Sequence, residues 1–373
     1  MYIYQNPKWP NFIWNKELIA KLLVKVKSRQ AYLLGKMDSL GFDIKEKAFL
    51  NTITEDIIKS NEIEGEFLNT QQVRSSIARK LGIKIESNIN IDRNVEGVVE
   101  MTLDAMQNYN KPITENRLFG WQSSMFPGGF SGLYKIKTGS YRDDNKGPMQ
   151  VVSGAVGRQK VHYQAPCANV LKKEMRNLIV YINNKREGID LILKSAIAHL
   201  WFVSIHPFED GNGRIARTLS DMLLARSQNS SERFYSMSSQ IKKARKSYYK
   251  VLEITQKSSL DITVWIQWFL ENLILAIDSS QILLKSVLEK TEFWKRHKAQ
   301  LLNERQIKML NKMFDDFKGD LTTSKWAKIT KSSQDTATRD IAGLIRKGIL
   351  VKKGSARSTH YVIQDFCDFK ETL

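Results

Sequence analysis

The chain has 373 residues, of which 42% are hydrophobic and 26% charged, the composition of a soluble globular protein long enough for two or three domains. No apolar run reaches the length of a bilayer span, and Met1-Tyr2-Ile3-Tyr4-Gln5-Asn6 lacks the basic-then-apolar order of a secretory signal. No membrane is therefore expected as a partner; Cys167 and Cys367 are the two cysteines and fit no disulfide or zinc spacing, so a reducing cytoplasm is the expected compartment. With 58 Lys and Arg against 39 Asp and Glu the net charge is +19, an excess that attracts nucleic acid, nucleotides or acidic protein surfaces, or serves solubility alone.

From Trp9 to about Tyr109 the chain is predicted to be helical, over residues 16–34, 49–61, 70–81 and 92–107. Leu18, Leu22, Leu23 and Val26 form an apolar stripe on the first of these. Thr70, ahead of Gln71-Gln72-Val73, has the chemistry of an N-cap. Pro112 and Thr114 open a further helix over 115–124, which the glycine-rich Phe126-Pro127-Gly128-Gly129 ends. Between Gly139 and Pro166 the helical period breaks. Residues 149–152 and 159–163 are β-prone runs separated by Gly154 and Gly157, and this pattern predicts a hairpin. Helices resume over 168–185 and 189–205, restart near Asn212, and continue over 242–257 and 262–288. Trp265, Trp268 and Phe269 recur there at helical spacing, which suits core packing.

The turn between the helix ending at Ile205 and the one starting near Asn212 reads His206-Pro207-Phe208-Glu209-Asp210-Gly211-Asn212-Gly213-Arg214-Ile215-Ala216-Arg217. Gly211 and Gly213 let the backbone turn sharply and bring its N–H groups close to a ligand, and a helix N-terminus attracts anions. Arg214 and Arg217, three apart, share one helical face and suit phosphate oxygens. Asp210 suits a divalent cation such as Mg²⁺, which takes one or two carboxylates and otherwise substrate phosphates. His206 is the group in the turn that exchanges protons near neutral pH. Together these parts describe phosphoryl or nucleotidyl transfer to a hydroxyl; Phe208 is read as packing that fixes the loop.

From Thr291 the chain changes character. Glu304-Arg305-Gln306-Ile307 opens an amphipathic helix, 321–324 caps a second, and 332–335 caps a third that runs over 336–347 to Gly348. Residues 349–351 and 360–363 then frame a basic turn, 352–357. Three helices and a two-stranded ribbon resemble a winged helix-turn-helix. Residues 325–357 hold nine Lys and Arg against Asp335 and Asp340, and Arg339, Arg346, Lys347, Lys352, Lys353 and Arg357 are the expected contacts to duplex DNA. Protein contact or dimerisation is the other use of such a module.

The stretch from His206 to Arg217 resembles the signature of the Fic family, HPFxDGNGRxxR, at every specified position. The resemblance implies a protein adenylyltransferase that moves AMP from ATP onto a Ser, Thr or Tyr hydroxyl of a target protein or of itself. His206 is then the general base, Asp210 holds Mg²⁺ or Mn²⁺, and the Asn212 side chain with the N–H groups around Gly211 and Gly213 stabilises the α-phosphate. Arg214 then holds the β-phosphate and Arg217 the γ-phosphate. The hairpin resembles the family's flap over the target site, and Gly139-Ser140-Tyr141-Arg142 its approach. Ser60-Asn61-Glu62-Ile63-Glu64-Gly65 resembles the inhibitory motif of class II members, in which Glu64 would pair with Arg217. Gly213 argues against kinase-like members, which carry Lys there; removal of AMP, in which Glu64 would position a water, stays open. The alternative from another class is a DNA-binding transcriptional regulator whose core responds to nucleotide without catalysis, and intact His206 and Asp210 weigh against it. The expected fold is mainly α: a helical N-terminal region over 1–110, a Fic-type core with a β-hairpin flap over 111–288, and a winged helix over 291–373. The partners implied are ATP, hydroxyl-bearing target proteins and duplex DNA, with a homodimer left open.

Overall fold

The computed structural model describes residues 1–38, 40–83, 89–154, 158–184, 188–298, 300–314, 317, 319–355 and 358–364. The chain divides into two compact units, Met1–Ser280 and a second starting at Gln281, about ten residues before the change of sequence character at Thr291. In the first unit, α1 (Lys16–Asp38), α2 (Phe42–Glu64), α3 (Thr70–Leu81), α4 (Arg93–Gln107) and α5 (Glu115–Met125) lead to two antiparallel ribbons. These are β1 (Phe130–Ser131) with β2 (Tyr134–Lys135), and β3 (Gln150–Ser153) with β4 (Lys160–Gln164). Then follow α6 (Leu171–Asn183), α7 (Leu191–Ile205), α8 (Asn212–Gln228), α9 (Met237–Lys243), α10 (Arg245–Gln256) and α11 (Thr263–Arg296). The last residues of α11 count with the second unit. The fold is mainly α.

Local chemistry explains where these elements begin and end. Helix α2 starts at Phe42 rather than near residue 49; the charged Asp43, Lys45, Glu46 and Lys47 interrupt the apolar pattern of its first turns. It ends at Gly65, which sits in the left-handed region (φ 89°) that glycine enters without steric cost. At α3 the cap is Asn69, not Thr70: the Asn69 side chain accepts from the N–H groups of Gln71 and Gln72. The stretch expected as one helix over 242–257 is two, meeting at Ala244, and Ser236 caps the first by accepting from Ser239 N–H.

The core is built around α7, which is buried at every position from Ile192 to Ile205. It therefore has no polar face, and it packs against α8, buried from Arg214 to Ala225. Trp265 and Phe269 of α11 complete this layer with Phe202 and Phe208; a buried aromatic or aliphatic side chain contributes about 1.5–3 kcal/mol.

The ribbon β3–β4 pairs Val151 with Tyr163 and Val152 with Val161, so His162 is an extra residue bulged out of register. The bulge aims His162 at α10, where its Nδ1 lies 2.8 Å from Glu253 Oε2. Buried Tyr163 donates its hydroxyl to Ser204 O at 2.7 Å, tying the base of the ribbon to the last turn of α7.

The second unit contains α12 (Glu304–Phe314), α13 (Thr323–Thr330), α14 (Gln334–Arg346), β5 (Leu350–Lys353) and β6 (His360–Ile363). Its own core joins Met309, Leu310, Leu321, Trp326, Ile341, Leu344 and Ile363. Thr322 caps α13 and Ser333 caps α14, so α14 starts two residues before the predicted Thr336. The strands pair antiparallel from Leu350 with Ile363 to Lys353 with His360.

Candidate active site

Helix α7 stops at His206, a non-glycine residue held in the left-handed region (φ 52°, ψ 59°). Such a conformation persists only where surrounding contacts over-determine it. Three of them act here: His206 N–H bonds Phe202 O at 2.9 Å, and His206 O accepts from Arg142 Nε at 2.8 Å. Arg142 N–H, in turn, donates to Pro207 O at 2.9 Å. The Arg142 side chain is fully buried; its other nitrogens bond Pro166 O and, at 2.6 Å, Asp144 Oδ1. Arg142 is thus the clamp of the elbow, a role its place in Gly139-Ser140-Tyr141-Arg142 does not disclose.

The imidazole of His206 is half-buried. Its Nδ1 lies 3.2 Å from Val203 O, and a carbonyl only accepts, so Nδ1 carries the proton and Nε2 keeps its lone pair. Burial holds the ring below the ordinary histidine pKa, against the opposing bond to Val203. His206 is therefore neutral at pH 7 with an unprotonated nitrogen, the state a general base needs.

The loop closes on itself. Asn212 Oδ1 accepts from Phe208 N–H at 3.0 Å, and its Nδ2 donates to Phe208 O at 2.7 Å. The Asn212 side chain thus shapes the loop through both of its bonds to Phe208. Phe208 packs on Phe119, Tyr141 and Phe202, as read from the sequence. Gly211 is favoured because its φ of 88° lies in the left-handed region that L side chains rarely adopt. The first-turn N–H groups of α8 have no partner within the helix.

Both motif arginines are nearly inaccessible, and residues of α2 reach each of them. Arg217 Nη1 lies 2.8 Å from Glu64 Oε1, while its Nε and Nη2 donate to Ser60 Oγ and Ser60 O at 2.8 and 2.9 Å. Arg214 Nη1 bonds Asn61 Oδ1 at 3.2 Å and pairs with Glu66. Glu64 Oε1 lies where a Cβ on Gly213 would be, at 2.1 Å; the carboxylate occupies the space that this glycine leaves beside the helix N-terminus. Lys242 and Arg245 donate to Glu62 O and Ile63 O at 2.7 and 2.8 Å, which fixes the end of α2. Arg214 Nε and Arg217 Nη1 meet no aligned acceptor among the described residues. Burial raises the Glu66 carboxyl above its ordinary range, and Arg214 pulls the other way.

Asp210 is half-exposed, with Oδ1 accepting Gly211 N–H at 2.6 Å and Oδ2 held by the Ser131 hydroxyl on β1. Among the described residues no group of three or more His, Cys, Asp or Glu could hold a metal ion. One oriented carboxylate fits Mg²⁺ or Mn²⁺ that takes its remaining ligands from water and substrate phosphates; it does not fit an all-protein cage. An open cavity of about 1010 Å³, lined by Lys27, Asp190, Lys194 and Arg226 among others, lies elsewhere and touches none of the motif side chains from His206 to Arg217.

In the second unit Arg339, Arg346, Lys352 and Lys353 are exposed. Lys347 is exposed as well, and its ammonium donates to Leu301 O. Asp340 is drawn inward to Arg305, 2.8 Å away, leaving the outer side of α14 more basic than its sequence. Arg357 lies outside the described residues. No helix among the described residues is long and apolar enough to cross a membrane.

Known proteins are similar to the chain across the region that holds the elbow histidine, the glycine-lined helix start and the paired arginines. Residues 112–224 match the Fic/DOC family, and residues 2–83 match a domain of unknown function, DUF4172. The chain therefore carries a Fic/DOC-type domain over residues 112–224. The probable protein adenylyltransferase aq_aa38 of Aquifex aeolicus is 24% identical over 185 residues, 49% of this chain and 52% of that protein. Protein adenylyltransferase fic-1 of Caenorhabditis elegans is 39% identical over 56 residues, 15% of this chain and 11% of that protein. The chain therefore spans about half of the first relative and a small part of the second. A crystal structure of a Fic family protein from Desulfovibrio desulfuricans G20 superposes with a TM-score of 0.54 at 19% identity, over 94% of this chain and 96% of that one, which extends the shared fold beyond the matched domain.

Proposed function

We propose that this protein is a protein adenylyltransferase, transferring AMP from ATP to a Ser, Thr or Tyr hydroxyl of a target protein or of itself. The observation that carries the reading is the neutral His206 with Nε2 free, held by a clamped elbow immediately before a glycine-lined helix start that bears Arg214 and Arg217. Nε2 takes the proton of the acceptor hydroxyl; its oxygen bonds to the α-phosphorus as the bond to the β-phosphate bridge breaks, and pyrophosphate leaves. The main-chain N–H groups at the start of α8 receive the α-phosphate charge. Arg214 takes the β-phosphate and Arg217 the γ-phosphate. Asp210, oriented by Gly211 and Ser131, would hold Mg²⁺ or Mn²⁺, which when bound neutralises charge between the phosphates. The ribbon β3–β4 serves as a flap that receives the target by strand addition.

The resting site is restrained by Glu64, which gives this chain the arrangement of class II members: its carboxylate sits on Arg217 and in the space at Gly213. Incubating the purified chain and a cell lysate with α-labelled ATP tests the reading. His206→Ala should bind nucleotide but label nothing; labelling near the wild-type rate removes His206 as the base.

A second reading attaches to the second unit. The exposed Arg339, Arg346, Lys352 and Lys353 favour a winged helix that binds duplex DNA, with α14 as the recognition helix and β5–β6 as the wing.

A further inference from the structure

We propose that Glu66 is a second gating residue, which withholds Arg214 from a nucleotide's β-phosphate as Glu64 withholds Arg217 from the γ-phosphate. The proposal rests on the phosphate roles assigned to the two arginines above. It goes beyond the single inhibitory glutamate, because Glu66 lies outside that motif and engages a different cation.

The geometry is specific. Gly65 turns the chain out of α2, and Glu66 N–H bonds back to Asn61 O at 3.0 Å, a helix-ending pair of bonds that fixes where residue 66 points. Its carboxylate meets Arg214 Nη1, on the same nitrogen that Asn61 Oδ1 contacts at 3.2 Å. The Arg214 side chain is 3% exposed and that of Glu66 41%. The arginine is therefore a fixed fixture of the site, while the glutamate can swing away into water. Arg214 Nε is buried without an acceptor among the described residues, although buried N–H groups are almost always paired. A phosphate oxygen at Arg214 would satisfy it, which Glu66 does not. Ser60, Asn61, Glu64 and Glu66 thus cover both phosphate-binding cations from a single segment, and the two carboxylates are independent locks on successive phosphates.

Independence gives a distinguishing experiment, since ADP carries a β-phosphate and no γ-phosphate. Affinities of the full chain for ADP and ATP with Mg²⁺ are measured by titration calorimetry for wild type, Glu64→Gly, Glu66→Gln and Glu66→Ala. Both Glu66 variants should tighten ADP and ATP alike, by about tenfold, the equivalent of one charge-assisted bond near 1.4 kcal/mol. Glu64→Gly should tighten ATP and leave ADP as it was. The half-exposed Glu66 side chain carries no core packing, so melting temperatures should match wild type and report intact fold. Unchanged or weaker ADP binding in both Glu66 variants overturns the proposal. If Glu66→Gln tightens both nucleotides while Glu64→Gly tightens neither, the role of Glu64 falls and that of Glu66 stands.

Discussion

Glu64→Gly removes one carboxylate and leaves every group that would touch the reacting atoms in place. The lost contact is the ion pair to Arg217 Nη1 at 2.8 Å, together with a weak bond from Tyr249 at 3.4 Å. Arg217 is 2% exposed and Glu64 31%, so the pair lies between a screened surface bridge, worth at most about 1 kcal/mol, and a charge-assisted buried bond of about 1.5–3 kcal/mol. About 2 kcal/mol, or roughly thirtyfold, is the expected gain in the population that binds ATP productively. The assay is incorporation of α-labelled AMP into the chain itself and into lysate proteins, with initial rates compared at fixed Mg²⁺. Arg217→Ala is the control: it breaks the same pair, yet transfer should fall because the γ-phosphate loses its ligand. Equal rates for wild type and Glu64→Gly would refute the restraint and reduce Glu64 to a helix-end carboxylate. If removal of AMP from modified protein drops in the same variant while transfer rises, Glu64 serves both directions.

Two further predictions concern pH and salt. With His206 as the proposed base, whose pKa burial lowers, the rate should climb with pH with its half-maximum below the ordinary imidazole value of about 6.5; a half-maximum above that value contradicts the geometry. Buried His199 is pushed down to about 3, so its neutral form stabilises the fold above pH 6.5 and that contribution is lost as pH falls from about 6.5 toward 3, which acid melts of wild type and His199→Gln would show. Mobility shifts of the full chain with duplex DNA should weaken steeply with salt, and neutralising Arg339, Arg346, Lys352 and Lys353 should flatten the slope by up to about 0.9 per phosphate contact. No shift at low salt leaves the second unit a protein-contact module.

What was legible in the sequence is what short-range chemistry determines. The turn from His206 to Arg217 is contiguous, so its residue types already stand in the order in which they act. The ribbon was visible in its alternating β-prone residues, and α14 in its cap and its terminal glycine. The pairing of Glu64 with Arg217 was reached only through resemblance to a known motif. Arg142 was seen as part of a lead-in but not as a clamp, because its partner carbonyl is 64 positions away. Glu66 left no signal at all: its partner is 148 positions distant, and a Glu after a helix-ending Gly is an ordinary surface residue. The bonds that Asn212 makes to Phe208 were equally hidden. An amide beside a helix start can serve a ligand or its own backbone, and only the folded loop shows which backbone groups it reaches.

Gly213 separates two consequences that Glu64→Gly merges, release of the arginine and access for the phosphate. A Cβ there would lie 2.1 Å from Glu64 Oε1 and 3.0 Å from its Cδ, far inside contact distance, so Gly213→Ala must expel the carboxylate. The backbone itself accepts the change, since Gly213 lies in the first turn of α8 outside the left-handed region, and Ala is favoured over Gly in a helix by about 0.5–1 kcal/mol. Stability should therefore hold or rise slightly even as the ion pair to Arg217 is lost. If Glu64 occupies the place meant for a phosphate, the same methyl obstructs the nucleotide as well. ATP should then bind Gly213→Ala more weakly than wild type, whereas it binds Glu64→Gly more tightly, although both variants free Arg217. Equal tightening in the two variants would show that the carboxylate blocks the arginine alone and that the phosphates approach α8 from another side.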